Sequence, residues 1–136
     1  MSDSLLERYA SRELPGFNGH TREDEDDVHD LGTFGFLRGS RERATMLELR
    51  KRDGNILAVG YGWLERLEFN PSEGIFLHLA GRKVRIMGRQ LNVEVHPKVR
   101  LFEAICRHRV PWVREAGREE SLLIQEGRVV IETIQW

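Results

Sequence analysis

From Thr33 onward, apolar residues fall at every second position in short runs, and glycine or Asn-Pro steps separate the runs. That period of two, with frequent turn residues, predicts an antiparallel meander rather than helices. In Ala44 to Lys51, Leu47 and Leu49 take one face and Glu48 and Arg50 the other. Asp53-Gly54 supplies a tight reversal, and Ile56 to Tyr61 returns alongside. Leu67 and Phe69 alternate with Arg66 and Glu68 as far as the turn Asn70-Pro71-Ser72-Glu73-Gly74. Ile75, Leu77 and Leu79 follow, and Gly81-Arg82 turns into Val84 and Ile86, with Lys83 and Arg85 pointing the other way. These five strands make one compact sheet.

Two segments carry helical spacing instead. Ser4-Leu5-Leu6-Glu7 has the form of a capping box and predicts a short helix from about Leu5 to Glu13, stopped by Pro15-Gly16. Pro97 suits a first helical turn, so a second helix runs from there to about Arg109, with Val99, Phe102, Ile105 and Cys106 on the face that covers the sheet. Pro111 ends it. Leu122 to Gln125 and Arg128 to Ile134, separated by Glu126-Gly127, read as a terminal hairpin.

The expected fold is therefore α+β. A curved, mostly antiparallel sheet or partial barrel of five to seven strands is packed by one amphipathic helix, with a short N-terminal helix besides. Residues 1–31 hold that helix and an acidic flexible linker, and 32–136 form a single domain. The expected core is Leu47, Leu49, Ile56, Val59, Leu67, Phe69, Ile75, Leu77, Leu79, Val84, Ile86, Val99, Phe102, Ile105, Cys106 and Trp112. At 136 residues and 40% hydrophobic content, such a core needs no disulfide or structural metal.

The near-zero total charge of −1 hides a sorting by position. Residues 1–37 carry three Arg against nine acids, residues 38–114 sixteen Lys and Arg against eight acids, and residues 115–136 two Arg against five acids. The acidic end is concentrated in the run Arg22-Glu23-Asp24-Glu25-Asp26-Asp27-Val28-His29-Asp30, too polar and self-repelling to pack. The basic middle offers a candidate polyanion surface in Arg50, Lys51 and Arg52 at one turn, Arg82, Lys83, Arg85 and Arg89 on another hairpin, and Arg107 with Arg109 on the helix. Phe76 and Tyr61 would add stacking. If those cations share a face, they track phosphates in a salt-sensitive way. The tethered acidic run would then act as an internal competitor.

Catalytic chemistry is weakly indicated. His20, His29, His78, His96 and His108 lack zinc-site spacing, so no metal and no cofactor is assigned. Cys106 and His108 are two residues apart, which on a helix points them about 200° away from each other. Gly60-Tyr61-Gly62 reads as a bend, and the pairs Glu65/Glu68 and Glu119/Glu120 as solvated carboxylates. A small hydrolase would need His78 or His108 in a deep pocket beside a perturbed carboxylate. Of the tryptophans, Trp112 is expected to cap the core, and Trp136 to dock on the sheet or a partner.

The order of a meander followed by one helix, over residues 34 to 110, resembles pleckstrin-homology-like domains. The likeness is architectural, includes no diagnostic motif, and implies a bent barrel closed by a helix without implying a function. Val84-Arg85-Ile86-Met87-Gly88-Arg89 resembles the glycine-containing strand of Sm-like RNA-binding proteins, although the order of helix and strands differs.

The leading functional expectation is a noncatalytic binding or assembly module, self-associating through sheet edges, the terminal hairpin or the N-terminal helix. Nucleic-acid or other polyanion binding through the basic hairpins comes second, and a small hydrolase third. One cysteine, no export leader and no apolar run of the ~20 residues that span a bilayer suggest a cytoplasmic protein without a transmembrane segment.

Overall fold

The computed structural model describes residues 28–39, 41–122 and 126–136. The predicted N-terminal helix and the acidic run as far as Asp27 lie outside them. In chain order the strands are β1 (Val28–Asp30), β2 (Gly35–Leu37), β3 (Met46–Arg50), β4 (Ile56–Gly60), β5 (Leu64–Asn70), β6 (Gly74–Leu79), β7 (Arg82–Arg89), β8 (Trp112–Arg114) and β9 (Val130–Gln135). Helix α1 spans Leu101–Cys106, and α2 spans Arg118–Leu122.

The turns form where the sequence puts residues suited to them. Gly54 takes φ 97° between β3 and β4. At the next reversal Asn70 Oδ1 accepts the amides of Ser72 and Glu73 at 2.8 and 3.1 Å, and Gly74 sits at φ 110°. A side chain at Gly74 would also collide with the chain, since a Cβ there would lie 2.1 Å from the Ile86 carbonyl. Glycine is thus needed twice over, for conformation and for close approach.

The strands sort into three sheets. One has four antiparallel strands in the order β9-β7-β6-β5, one is the β1-β2 hairpin, and one has the order β4-β3-β8 with β8 parallel to β3. Phe34 bridges Val113, which attaches the hairpin to β8. The inner faces meet in one cluster that includes Leu47, Leu49, Ile75, Leu77, Val84, Ile86, Ile131 and Ile134, with Leu101, Ala104 and Ile105 of α1.

This corrects the expected fold class. The described residues are mostly β, at 47% strand and 13% helix, and among them no barrel closes and both helices are short. The helix placed over Pro97 to Arg109 is only six residues long. Pro97 is used in a turn instead: Val99 N–H donates to the His96 carbonyl at 2.8 Å, and Lys98 adopts φ 66°. The pleckstrin-homology likeness fails on the same point, because no long helix plugs the sheet among the described residues.

The far end of α1 explains the early stop. His108 takes φ 58°, its amide donates to Ile105 O at 2.9 Å, and Arg109 N–H reaches back to Ala104 O at 2.9 Å. This is a Schellman closure with histidine where glycine is usual. Tyr61 holds it: its ring stacks on His108 at 4.5 Å, and its hydroxyl donates to the Val110 carbonyl at 2.7 Å.

The core differs in detail from the expected set. Ile56 and Cys106 are exposed, and Val59, Leu67, Phe69, Phe102 and Trp112 are half-buried. Phe34, Tyr61, Leu101, Val110, Val113, Ile131 and Ile134 are buried although alternation alone does not single them out. Leu122, expected to open a hairpin strand, ends α2. Val28, His29 and Asp30, expected in the linker, form β1.

Candidate functional site

Eight of the nine candidate cations fall into three environments, and Arg82 stands apart. Arg50, Arg52 and Arg89 hold the fold together. Arg50 pairs with Glu48 at 2.8 Å and lies over Trp112 at 4.8 Å. Arg52 donates through its guanidinium to the carbonyls of Ala116 and Glu132 at 3.0 and 3.1 Å. Arg89 bonds the Ser121 carbonyl and lies 3.1 Å from Glu132 Oε2. Arg82 is exposed at the start of β7.

Lys51, Lys83 and Arg85 gather on the outer face of the four-stranded sheet. Register pairs Arg85 with both Phe76 and Gln135, and Lys83 with His78. Lys83 and Arg85 stand over the Phe76 ring at 4.8 and 5.4 Å, and Lys51 over Trp136 at 4.2 Å. Phe76, Lys83, Arg85, Gln135 and Trp136 line one shallow hollow of about 310 Å³. Trp136 therefore lies on the sheet, in keeping with its apolar bulk.

Arg107 and Arg109 belong to a separate cleft at the end of α1. Arg109 Nε bonds the Leu37 carbonyl at 3.0 Å, Nη2 bonds Gly39 O at 2.9 Å, and the guanidinium covers Phe36 at 4.9 Å. Lys98 and Arg100, which are not among the nine, line the same cleft. Their sequence signal is a cation density that continues across the Pro97 turn.

The catalytic candidates find ordinary structural uses. His78 Nε2 lies 2.8 Å from Glu68, and this hydrogen bond holds the Glu68 carboxyl below its usual range. The pair sits on the open sheet face, where the neighbouring hollow is lined by Glu68, Phe69, Asn70, Glu73, Phe76 and Lys83, with no hydroxyl or thiol nucleophile. Partial desolvation, then the nearby Glu103, pushes the Cys106 thiol up and away from thiolate chemistry. His108 is committed to the helix cap. Among the described residues, no three of His, Cys, Asp and Glu gather in a way that could hold a metal ion. No helix among them is long and apolar enough to cross a membrane.

The most distinctive surface lies on β4. Its residues Ile56, Leu57, Ala58, Val59 and Gly60 carry no charge, and β4 is an outer strand of its sheet. Tyr61 N–H bonds Thr45 O and Lys51 N–H bonds Asn55 O, so by alternation Leu57 and Val59 point their backbone groups at β3. The amides and carbonyls of Ile56, Ala58 and Gly60 face outward. Among the described residues five large apolar side chains are exposed, and three surround this edge: Ile56 at 57%, Trp63 at 67% and Met46 at 44%. Trp63 lies across Gly60, with Cδ1 3.0 Å from where a Cβ would stand and Met46 Sδ at 3.7 Å. The sequence signal for this edge is a five-residue strand with no polar side chain at all.

Compared with known protein families, curated proteins and solved structures, the chain matches none.

Proposed function

We propose that the protein is a noncatalytic assembly module that joins a second copy of itself by adding β4 to β4. The observation that carries this reading is an uncharged outer strand edge, unpaired among the described residues and ringed by exposed Ile56, Trp63 and Met46. Most edge strands are guarded by charge, bulges or cover, and among the described residues β4 has none of these. An outward row of amides and carbonyls is best satisfied by another strand.

The edge is also self-complementary. Antiparallel pairing about a twofold axis at Ala58 sets Ile56 of one copy opposite Gly60 of the other, and Ala58 opposite Ala58. All three outward residues then meet outward partners, giving six backbone hydrogen bonds. Each exposed Ile56 then packs on the partner's Trp63 and Met46, which lie over Gly60. An interface of this size, below about 1,000 Å², belongs to the weak and reversible class. We expect a dissociation constant of about 10 to 100 µM. We place this assembly in the cytoplasm.

Sedimentation equilibrium tests it. The full chain is expected to pass from monomer to dimer with concentration, and Ile56→Lys to stay monomeric while keeping its fold. A monomer up to about 1 mM, or an Ile56→Lys protein that dimerises equally, overturns it.

A second reading is favoured by the sheet face, where Lys51, Lys83 and Arg85 converge with Phe76 and Trp136. Cations beside aromatic rings suit a single-stranded polyanion. Mobility shift with single-stranded and duplex probes at low and high salt decides it, and no shift at low salt removes it.

A further inference from the structure

The small cleft at the end of α1, about 80 Å³ in volume, is lined by four cations, Lys98, Arg100, Arg107 and Arg109, against one acid, Glu103. Arg100 is partly occupied by Glu94 at 3.4 Å and by the Asn92 carbonyl at 2.9 Å. Lys98 and Arg107 are exposed, and neither forms an ion pair with a described carboxylate. Burial, then Arg43 and Arg107, holds the Arg109 guanidinium below its usual range, with Glu42 acting the other way. Arg107 thus acts on Arg109 across the cleft, whose lining carries more cations than acids.

Strand β1 leads to this place. Val28 pairs with Leu37, whose carbonyl receives Arg109. The His29 ring stands edge-on to His96 at 5.2 Å, in the turn that carries Lys98. The five residues immediately before Val28 are Glu23-Asp24-Glu25-Asp26-Asp27, consecutive carboxylates in a segment outside the described residues. An extended chain advances ~3.3 Å per residue, so this run spans ~16 Å from the start of β1.

We propose that the cleft is a binding site for acidic peptide and that its occupant is this chain's own run from Glu23 to Asp27. Two observations carry it: the charge complementarity of cleft and run, and the point at which β1 delivers the chain. Continuing the register of β1 would set Asp27 opposite Arg38 and Asp26 opposite Gly39. Tethering supplies a local concentration in the millimolar range, so weak individual contacts suffice. Guanidinium–carboxylate bonds at the cleft are charge-assisted, and at its open mouth they are screened by salt.

The test compares amide resonances of the ¹⁵N-labelled full chain with those of a variant in which the run is neutralised. The changes are Glu23→Gln, Asp24→Asn, Glu25→Gln, Asp26→Asn and Asp27→Asn, all nearly isosteric. Both are measured at a dilution where sedimentation gives a monomer, which keeps the result independent of β4. Neutralisation is expected to move the resonances of Lys98, Arg100, Glu103 and Arg107 and to leave β5 and β6 in place. About 0.5 M salt should move the same resonances of the unaltered chain in the same direction. Reciprocally, Arg107→Glu should move the amides of Glu23 to Asp27. Unchanged cleft resonances on neutralisation, or changes centred on Lys51, Lys83 and Arg85, overturn the proposal.

Discussion

The carboxylate of Glu115 accepts the backbone N–H of Ile134 at 2.7 Å through one oxygen and that of Arg52 at 2.9 Å through the other. It thereby ties the β3–β4 turn to β9, across two sheets that share no strand. Glu115 is buried, so its removal would strand two amides that water reaches poorly. Glu115→Ala is expected to cost about 3 kcal/mol in urea unfolding. A loss below about 1 kcal/mol would mean that the staple is replaced by water.

Tyr61 secures the cap of α1, and Tyr61→Phe should cost about 1 to 2 kcal/mol by leaving the Val110 carbonyl without its donor. Burial pushes the Tyr61 phenol well above its ordinary pKa of 10.0. The folded state therefore keeps its proton where the unfolded chain loses it. Below that ordinary pKa the two states hold the same proton and stability is unaffected. As pH rises above it, the unfolded state is favoured and stability falls. Urea midpoints at pH 8 and pH 11 should show a drop in the native chain that Tyr61→Phe reduces.

Glu120 carries the acid-side prediction. The bidentate hydrogen bonds from Arg114, at 2.9 Å each, and then the Gly117 amide at 3.0 Å, hold its carboxyl down to about 2. Because the folded value is depressed, its contribution is present above the ordinary value of 4.5 and is lost as pH falls from there to about 2. Glu120→Gln should flatten the unfolding midpoint across that window. An equal acid loss in both proteins would assign it to other carboxylates.

Two glycines with positive φ separate strain from collision. Gly54, at φ 97°, has nothing within 4 Å of where a Cβ would stand, so Gly54→Ala should cost about 1 to 2 kcal/mol. Gly74, at φ 110°, would bring a Cβ to 2.1 Å from the Ile86 carbonyl, so Gly74→Ala should cost at least about 3 kcal/mol. Equal losses would show that β6 and β7 can move apart freely.

What is legible in the sequence is local. The strands from Met46 to Arg89 and their turns follow from alternation and from Gly54, Asn70, Gly74 and Gly81, because a turn is decided by the residues that form it. Pro97 misleads because proline suits a helix start and a tight turn equally, and Lys98 at positive φ carries no sequence mark. The parallel pairing of β3 with β8 joins Glu48 to Trp112, a partnership no local pattern encodes. Gly88, in the strand with the Sm-like resemblance, serves close packing: a Cβ there would lie 2.0 Å from the Val130 carbonyl. The cations can be counted in advance, but their division between fold, sheet face and cleft depends on which strands neighbour one another. Ile56 reads as core because alternation assigns a face without saying whether anything covers it.

The central claim concerns the outward edge of β4, and hydrogen exchange of its amides tests it most directly. Protection of Ile56, Ala58 and Gly60 should rise with protein concentration, while Leu57 and Val59, already bonded to β3, should change little. Exchange of those three amides that is equally fast at about 10 µM and about 1 mM would contradict the account.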